Sequence, residues 1–183
     1  MLGKDIFNSI DNIQTIINQN KDEIEKLDQE IGDGDHIFNI IRGLEEICKL
    51  KDTLIEEPAD QIFKQLGMKI MTTVGGSSGA LFATLLIGMS KKYNNQLNNA
   101  INLANMFTEG VESMKKRGKS DIGEKTMLDV LVPVSDELQK LKNQENVKKI
   151  AEQIKIIAEK GMLATKDLVA TKGRASFLGE RAI

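Results

Sequence analysis

The chain has 183 residues, 40% of them hydrophobic and 28% charged, with a formal net charge of −2. That length suits one domain over 1–183 with a single core, and the near-neutral charge gives no electrostatic reason for nucleic acid or an anionic membrane as a partner. An aromatic content of 4% without tryptophan argues against a base-stacking nucleic-acid reader, and no apolar run reaches membrane-spanning length. Asp5 and polar neighbours at the N-terminus do not make a signal peptide, and the lone Cys48 excludes an intrachain disulfide, so a cytoplasmic protein is expected.

Helical spacing dominates from the start. Ile6, Ile10, Ile13 and Ile17 step by three or four, as do Val147, Ile150, Ile154 and Ile157. The spacing predicts a first helix over Asp5–Leu27 and a second over His36–Leu50. Pro58 opens a third, which continues to Thr73, and Ser77 and Ser78 cap a fourth that reaches Tyr93. Further helices are predicted near 95–117, 124–142 (bent by Pro133) and 145–167, with a shorter piece near 168–178. No stretch alternates as a strand does, so the class is all-α, a multi-helix antiparallel bundle.

Four junctions between these helices carry glycine with polar residues: 32–36, 75–79, 118–123 and 172–180. In an antiparallel bundle alternate loops share an end, which gathers the first three clusters. Helix N-termini there offer free N–H groups and the positive end of the dipole, a setting suited to phosphate.

The first junction belongs to the acidic run Asp28-Gln29-Glu30-Ile31-Gly32-Asp33-Gly34-Asp35-His36. It reads either as an exposed acidic turn or as a hard-metal site, because clustered carboxylates repel unless a cation lies between them. A calcium hand fails on spacing. A loop begun at Asp33 puts Ile37 and Leu44 where acidic or amide ligands belong, and one begun at Asp28 puts Asp33 where glycine is needed. Mg²⁺ with a phosphate ligand fits better. His36 is a general base or a donor that holds the acidic loop. The Gly75-Gly76-Ser77-Ser78-Gly79 run is a phosphate cradle or a flexible connection. Gly118-Lys119-Ser120 is not the end of a P-loop, since Ser113 stands where the first glycine belongs and no strand precedes it. Methionines, Met127 included, read by default as core filler.

Taken together, the blocks become specific. Ile31-Gly32-Asp33-Gly34-Asp35-His36 with Asn39 and Arg42-Gly43, Gly75–Gly79 with Leu81 and Thr84, Lys116–Lys119 with Gly123–Asp129, and Ala170–Ser176 with Leu178–Arg181 resemble the nucleotide-binding L-subunit family of bacterial dihydroxyacetone kinases. The resemblance covers essentially the whole chain. It implies an eight-helix antiparallel barrel with a nucleotide, ADP or ATP, and two Mg²⁺ ions at one end. The carboxylates matching Asp28, Asp33 and Asp35 would hold the metals. His36 and Asn39 match positions at the nucleotide phosphates, where Ser77 and Ser78 add contacts, and Leu81, Gly118, Thr126 and Met127 match positions around the adenine.

The implied activity is phosphoryl transfer to dihydroxyacetone held on a separate K subunit. In the phosphotransferase-system version ADP stays bound and a phosphohistidine on an M subunit recharges it. No catalytic residue is then expected on this chain beyond the metal and nucleotide site. Ile37 stands where the family usually carries glycine, so crowding of the phosphates is expected there. Ala80 and Phe82 replace a proline and a tyrosine, and the family continues past the position of Ile183 with a Gly-His-x-Asp-Pro-Gly segment. The alternative function is a non-catalytic or regulatory nucleotide-binding relative. Fatty-acid kinases rank last, since they carry Asp-Gly-Asp-Thr where this chain has Asp33-Gly34-Asp35-His36.

Overall fold

In the computed structural model, which describes residues 3–32 and 34–182, every regular element among the described residues is helical. In chain order they are α1 (Gly3–Gln19), α2 (Lys21–Gln29), α3 (His36–Cys48), α4 (Lys51–Leu54), α5 (Ala59–Thr73), α6 (Gly76–Ser90), α7 (Asn99–Gly118), α8 (Leu128–Leu141) and α9 (Val147–Ala164). Two 3-10 segments follow, Thr165–Asp167 and Arg174–Ala182.

The all-α class stands as the periodicity reads it, but the elements divide differently from the expected eight. The first predicted helix breaks at Asn20 (φ −104°, ψ 12°), whose side-chain amide turns back to the Ile16 carbonyl at 2.8 Å. That local bond competes with helix continuation. The chain after Cys48 becomes a single separate turn, α4. Helix α6 starts at Gly76, so Ser77 and Ser78 lie inside its first turn and do not cap it. Residues 124–127 precede α8, and the tail is 3-10, interrupted at Gly179 with φ 57°.

Contacts along each pair of neighbours fix an up-and-down order. Across α3 and α5, Arg42 Nε donates to the Thr73 carbonyl at 3.1 Å while Lys69 pairs with Glu46 at 2.7 Å. Across α7 and α8, Thr108 meets Ser135 at 2.9 Å and Gln139 reaches Asn105 at 3.3 Å. Across α8 and α9, Gln153 donates to Glu137 at 2.8 Å while Gly161 packs against the Asp129 carbonyl. In each case residue numbers rise on one helix as they fall on the other.

Two apolar clusters fill the interior. Phe7, Ile47, Ile62 and Leu66 join α1, α3 and α5. Leu85, Met106, Val111, Met114 and Leu128 join α6, α7 and α8. Phe63, Leu86 and Tyr93 pack against both. Burial of such side chains stabilises by roughly 1.5–3 kcal/mol each. The antiparallel order puts the 30–35, 74–76, 119–127 and 165–173 connections at one end of the bundle.

Candidate functional site

Three helices begin at that end: α3 at His36, α6 at Gly76 and α8 at Leu128. Gly75 offers α6 no capping side chain, so the first-turn N–H groups of α6 stand open at the positive end of its dipole, while at α3 Asp35 makes no cap bond and the His36 N–H is taken by Asp28. The turn into α6 depends on glycine. Gly76 has φ 75°, and a Cβ on Gly79 would stand 2.3 Å from the Val74 carbonyl oxygen. A Cβ on Gly75 or Gly76 would meet nothing within 4 Å, so the turn's open side is free for a ligand.

A cavity of about 390 Å³ lies over these termini, lined by His36, Ser77, Ser78, Leu81, Thr126 and Met127 among others. These six residues, singled out on separate stretches of the chain, therefore meet at one place. A smaller cavity of about 70 Å³, almost wholly apolar, adjoins it and shares Leu81, Thr126 and Met127; Gly118 lines it too. Met127 is thus a wall of both cavities, whereas Met106 lies wholly in the core.

The cavities also contain residues to which no role was assigned from sequence. Lys125, Thr165, Lys172 and Gly173 line the larger one, and Met114, Ser120, Leu128 and Lys172 the smaller. The fourth glycine-rich junction thereby joins the first three. The available signal was the Ala170–Ser176 block itself. Lys172 Nζ donates to the Lys119 carbonyl at 2.8 Å and lies 3.5 Å from Glu124, while Lys125 Nζ reaches the Lys166 carbonyl at 3.2 Å. Two lysine side chains therefore bring positive charge to the cavity rim. The Glu124 carboxyl is held below its ordinary pKa. The main cause is the Ser120 hydroxyl close to it, short of a well-formed hydrogen bond; the Asp121 N–H and, more weakly, Lys172 act in the same direction.

The acidic run sits at the start of α3. Asp28 Oδ2 accepts the His36 N–H at 3.2 Å, which ties the end of α2 to the head of α3. Gly32 packs so close that a Cβ would lie 2.1 Å from Asp28 Oδ1. Asp35 is exposed and immediately precedes α3. Asp33 lies outside the described residues. Among the described residues no three acidic, histidine or cysteine side chains form a metal-ready group. The oxygen-only donors Asp28 and Asp35, at the head of α3, nonetheless have the chemistry that Mg²⁺ prefers. Asn39 lies one turn into α3, and its Oδ1 accepts from Arg42 at 2.8 Å, so it lines neither cavity.

Ile37 departs from expectation. It is 0% exposed, lies within α3 away from the left-handed region, and lines neither cavity. The helix turns its side chain inward, so it does not crowd the larger cavity.

Comparison with known proteins agrees with the all-helical fold. The DAK2 domain family matches residues 30–183. The ADP-binding subunit DhaL of PEP-dependent dihydroxyacetone kinase 1 from Listeria innocua is 44% identical over 169 residues, covering 91% of this chain and 79% of that one. The ADP-binding subunit DhaL from Escherichia coli is 37% identical, covering 86% and 76%. The crystal structure of the dihydroxyacetone kinase from C. freundii, in complex with AMP-PNP and Mg²⁺, superposes with a TM-score of 0.67 at 22% identity. That likeness covers 96% of this chain but only 30% of the larger kinase, and it shows a shared fold. These named relatives are phosphotransferases. With the match running over residues 30–183 and the DhaL relatives covered along most of their length, the chain belongs to the DAK2 domain family.

Proposed function

We propose that this chain is the ADP-binding subunit of a phosphoprotein-dependent dihydroxyacetone kinase, working in the cytoplasm with a dihydroxyacetone-binding K subunit and a phosphohistidine-carrying M subunit. The observation that carries the reading is the single cavity in which His36, Ser77, Ser78, Thr126 and Met127 meet over the open N-terminus of α6. The names of the DhaL relatives point the same way.

Each part of the cavity suits one part of the nucleotide. The first-turn N–H groups of α6 and the Ser77 and Ser78 hydroxyls would donate to phosphate oxygens, with His36 at the same rim. The smaller apolar cavity between Leu81, Gly118 and Met127 would take the adenine. Asp28, Asp33 and Asp35 would hold two Mg²⁺ ions, which when bound neutralise phosphate charge. Asn39 would keep Arg42 directed at the α5 terminus, one turn behind the phosphates.

Bound ADP would supply the acceptor and donor of the phosphoryl group that passes from the M subunit's phosphohistidine to a dihydroxyacetone hydroxyl on the K subunit. Ser77, Ser78 and the α6 N–H groups would hold its phosphates through that exchange, and Leu81, Gly118 and Met127 would hold its base. Such chemistry asks this chain for positioning and charge neutralisation rather than a covalent group.

The test is to denature the purified protein, assay the supernatant for ADP, and then measure phosphorylation of dihydroxyacetone with partner subunits and Mg²⁺. Released ADP and turnover are expected; neither nucleotide nor turnover would reject the reading.

A further inference from the structure

Asp129 is buried, 8% exposed, in the first turn of α8, and it touches neither cavity. Its carboxylate is spent on the loop in front of it. The Gly123 N–H donates to Oδ1 at 2.5 Å and the Thr126 N–H donates to Oδ2 at 2.7 Å. Between those donors the backbone passes through two left-handed positions, Gly123 at φ 84° and Lys125 at φ 56°. A lysine adopts that region only when its surroundings impose it. Here the two charge-assisted hydrogen bonds to one carboxylate close the turn from both sides.

Two further contacts make the arrangement stiff. Thr126 Oγ1 accepts the Leu128 N–H at 3.1 Å, which orients the threonine side chain. Behind Asp129, its carbonyl oxygen faces Gly161 on α9, where a Cβ would come within 2.5 Å. The α8–α9 packing therefore fixes the backbone from which the Asp129 carboxylate reaches the loop. What the carboxylate holds is the Thr126-Met127 pair, which walls both cavities.

We infer that Asp129 is a positioning residue for the nucleotide base: by taking the Gly123 and Thr126 N–H groups it sets where Thr126 and Met127 stand, and so which base the small cavity accepts. This rests on the nucleotide reading above. The carboxylate has two acceptor oxygens for two N–H donors. An asparagine has one, and its amide nitrogen would face the second donor, so the turn opens on the side of Met127.

The experiment titrates ADP and GDP into the full chain with Mg²⁺, at a temperature where circular dichroism shows each variant folded. Asp129→Asn is expected to weaken ADP by about tenfold, the scale of one lost charge-assisted hydrogen bond, and to narrow the ADP-over-GDP preference. Glu137→Gln is the control. Glu137 is equally buried on the same helix but bonded to Gln153 and Lys140, remote from the loop, so its loss lowers the melting temperature and leaves both affinities unchanged. Asp129→Asn with wild-type affinity and preference would overturn the inference alone. A wild-type protein that binds no ADP would overturn the nucleotide reading and the inference with it. Should Asp129→Asn not fold, amide exchange on the wild type decides: protection of Gly123 and Thr126 rises with ADP if loop and base are coupled, and unchanged protection contradicts it.

Discussion

The two ends of the bundle are tied by buried polar side chains of similar chemistry and opposite consequence. At one end Asn102, 1% exposed, donates to the Asn94 and Leu97 carbonyls at 2.8 and 2.9 Å and accepts the Asn94 N–H at 2.9 Å. Its three bonds close the 91–98 connection on itself, and the nearest cavity, about 170 Å³ between the start of α7, the end of α8 and the start of α9, is lined mostly by apolar side chains. At the other end Asp129 holds a loop through N–H groups only, and that loop stands as a wall beside a cavity. At the closed end Asn98 and Asn146 cap α7 and α9, each accepting from a backbone N–H three residues on, while α5 starts at Pro58 without a side-chain cap. At the open end α6 has no capping side chain and its first turn faces the larger cavity, which is what separates that end from a fastening.

The largest effect that would test this contrast is on the closed end. Asn102→Ala removes a buried amide and its three hydrogen bonds to the 94–97 backbone and is expected to lower unfolding stability by about 2 kcal/mol. Urea denaturation measures it, and ADP affinity should stay at the wild-type value. A matching loss of ADP binding would mean that the two ends are not independent.

A smaller effect on stability is expected at the open end. The double change Ser77→Ala with Ser78→Ala removes two hydroxyls that no capping role requires, so stability should hardly move. ADP affinity should fall by about 2 kcal/mol, on the scale of hydrogen bonds to charged groups. Calorimetric titration checks it. The opposite pattern, lost stability and retained ADP, would turn the serines back into helix-start residues.

How far these regions can be read from the chain differs between them. Helix class and the sharing of one end by glycine-rich junctions follow from spacing alone, since the apolar steps at Ile6, Ile10 and Ile13 and the loop order are local properties. Ser77 and Ser78 were singled out in the sequence and do line the larger cavity, but their place in the first turn was not legible, because the helix start depends on the positive φ at Gly76 and the fold-back onto Val74. Ile37 misled because a family glycine suggested a backbone demand that α3 does not make here. Asp129 stood in a recognised block, yet its role needs the tertiary turn through Gly123 and Lys125, which no periodicity encodes. Lys172 became visible only once α9 returned the chain to the same end.

The smallest effect concerns the bundle wall between these ends. Glu46 on α3 takes hydrogen bonds from Lys49 and from Lys69 on α5, and these hold its carboxyl down from 4.5 to about 2. A depressed carboxyl contributes stability above its unfolded pKa and loses it as pH falls through the folded one. Glu46→Gln should therefore be slightly less stable than wild type at neutral pH, less so than either change above, because the pair is solvent-screened. The gap should close as pH falls from 4.5 towards 2 in thermal melts. A gap that widened on acidification would assign the wrong sign to the pair.

The most direct test of the central claim is an amide chemical-shift map of the nucleotide-free protein titrated with ADP and Mg²⁺. Shifts confined to 28–39, 76–81, 118–127 and 165–174, with 91–98 and 142–146 unmoved, are the predicted result. Shifts centred on the 91–98 and 142–146 connections, or none at saturating ADP, would contradict the account.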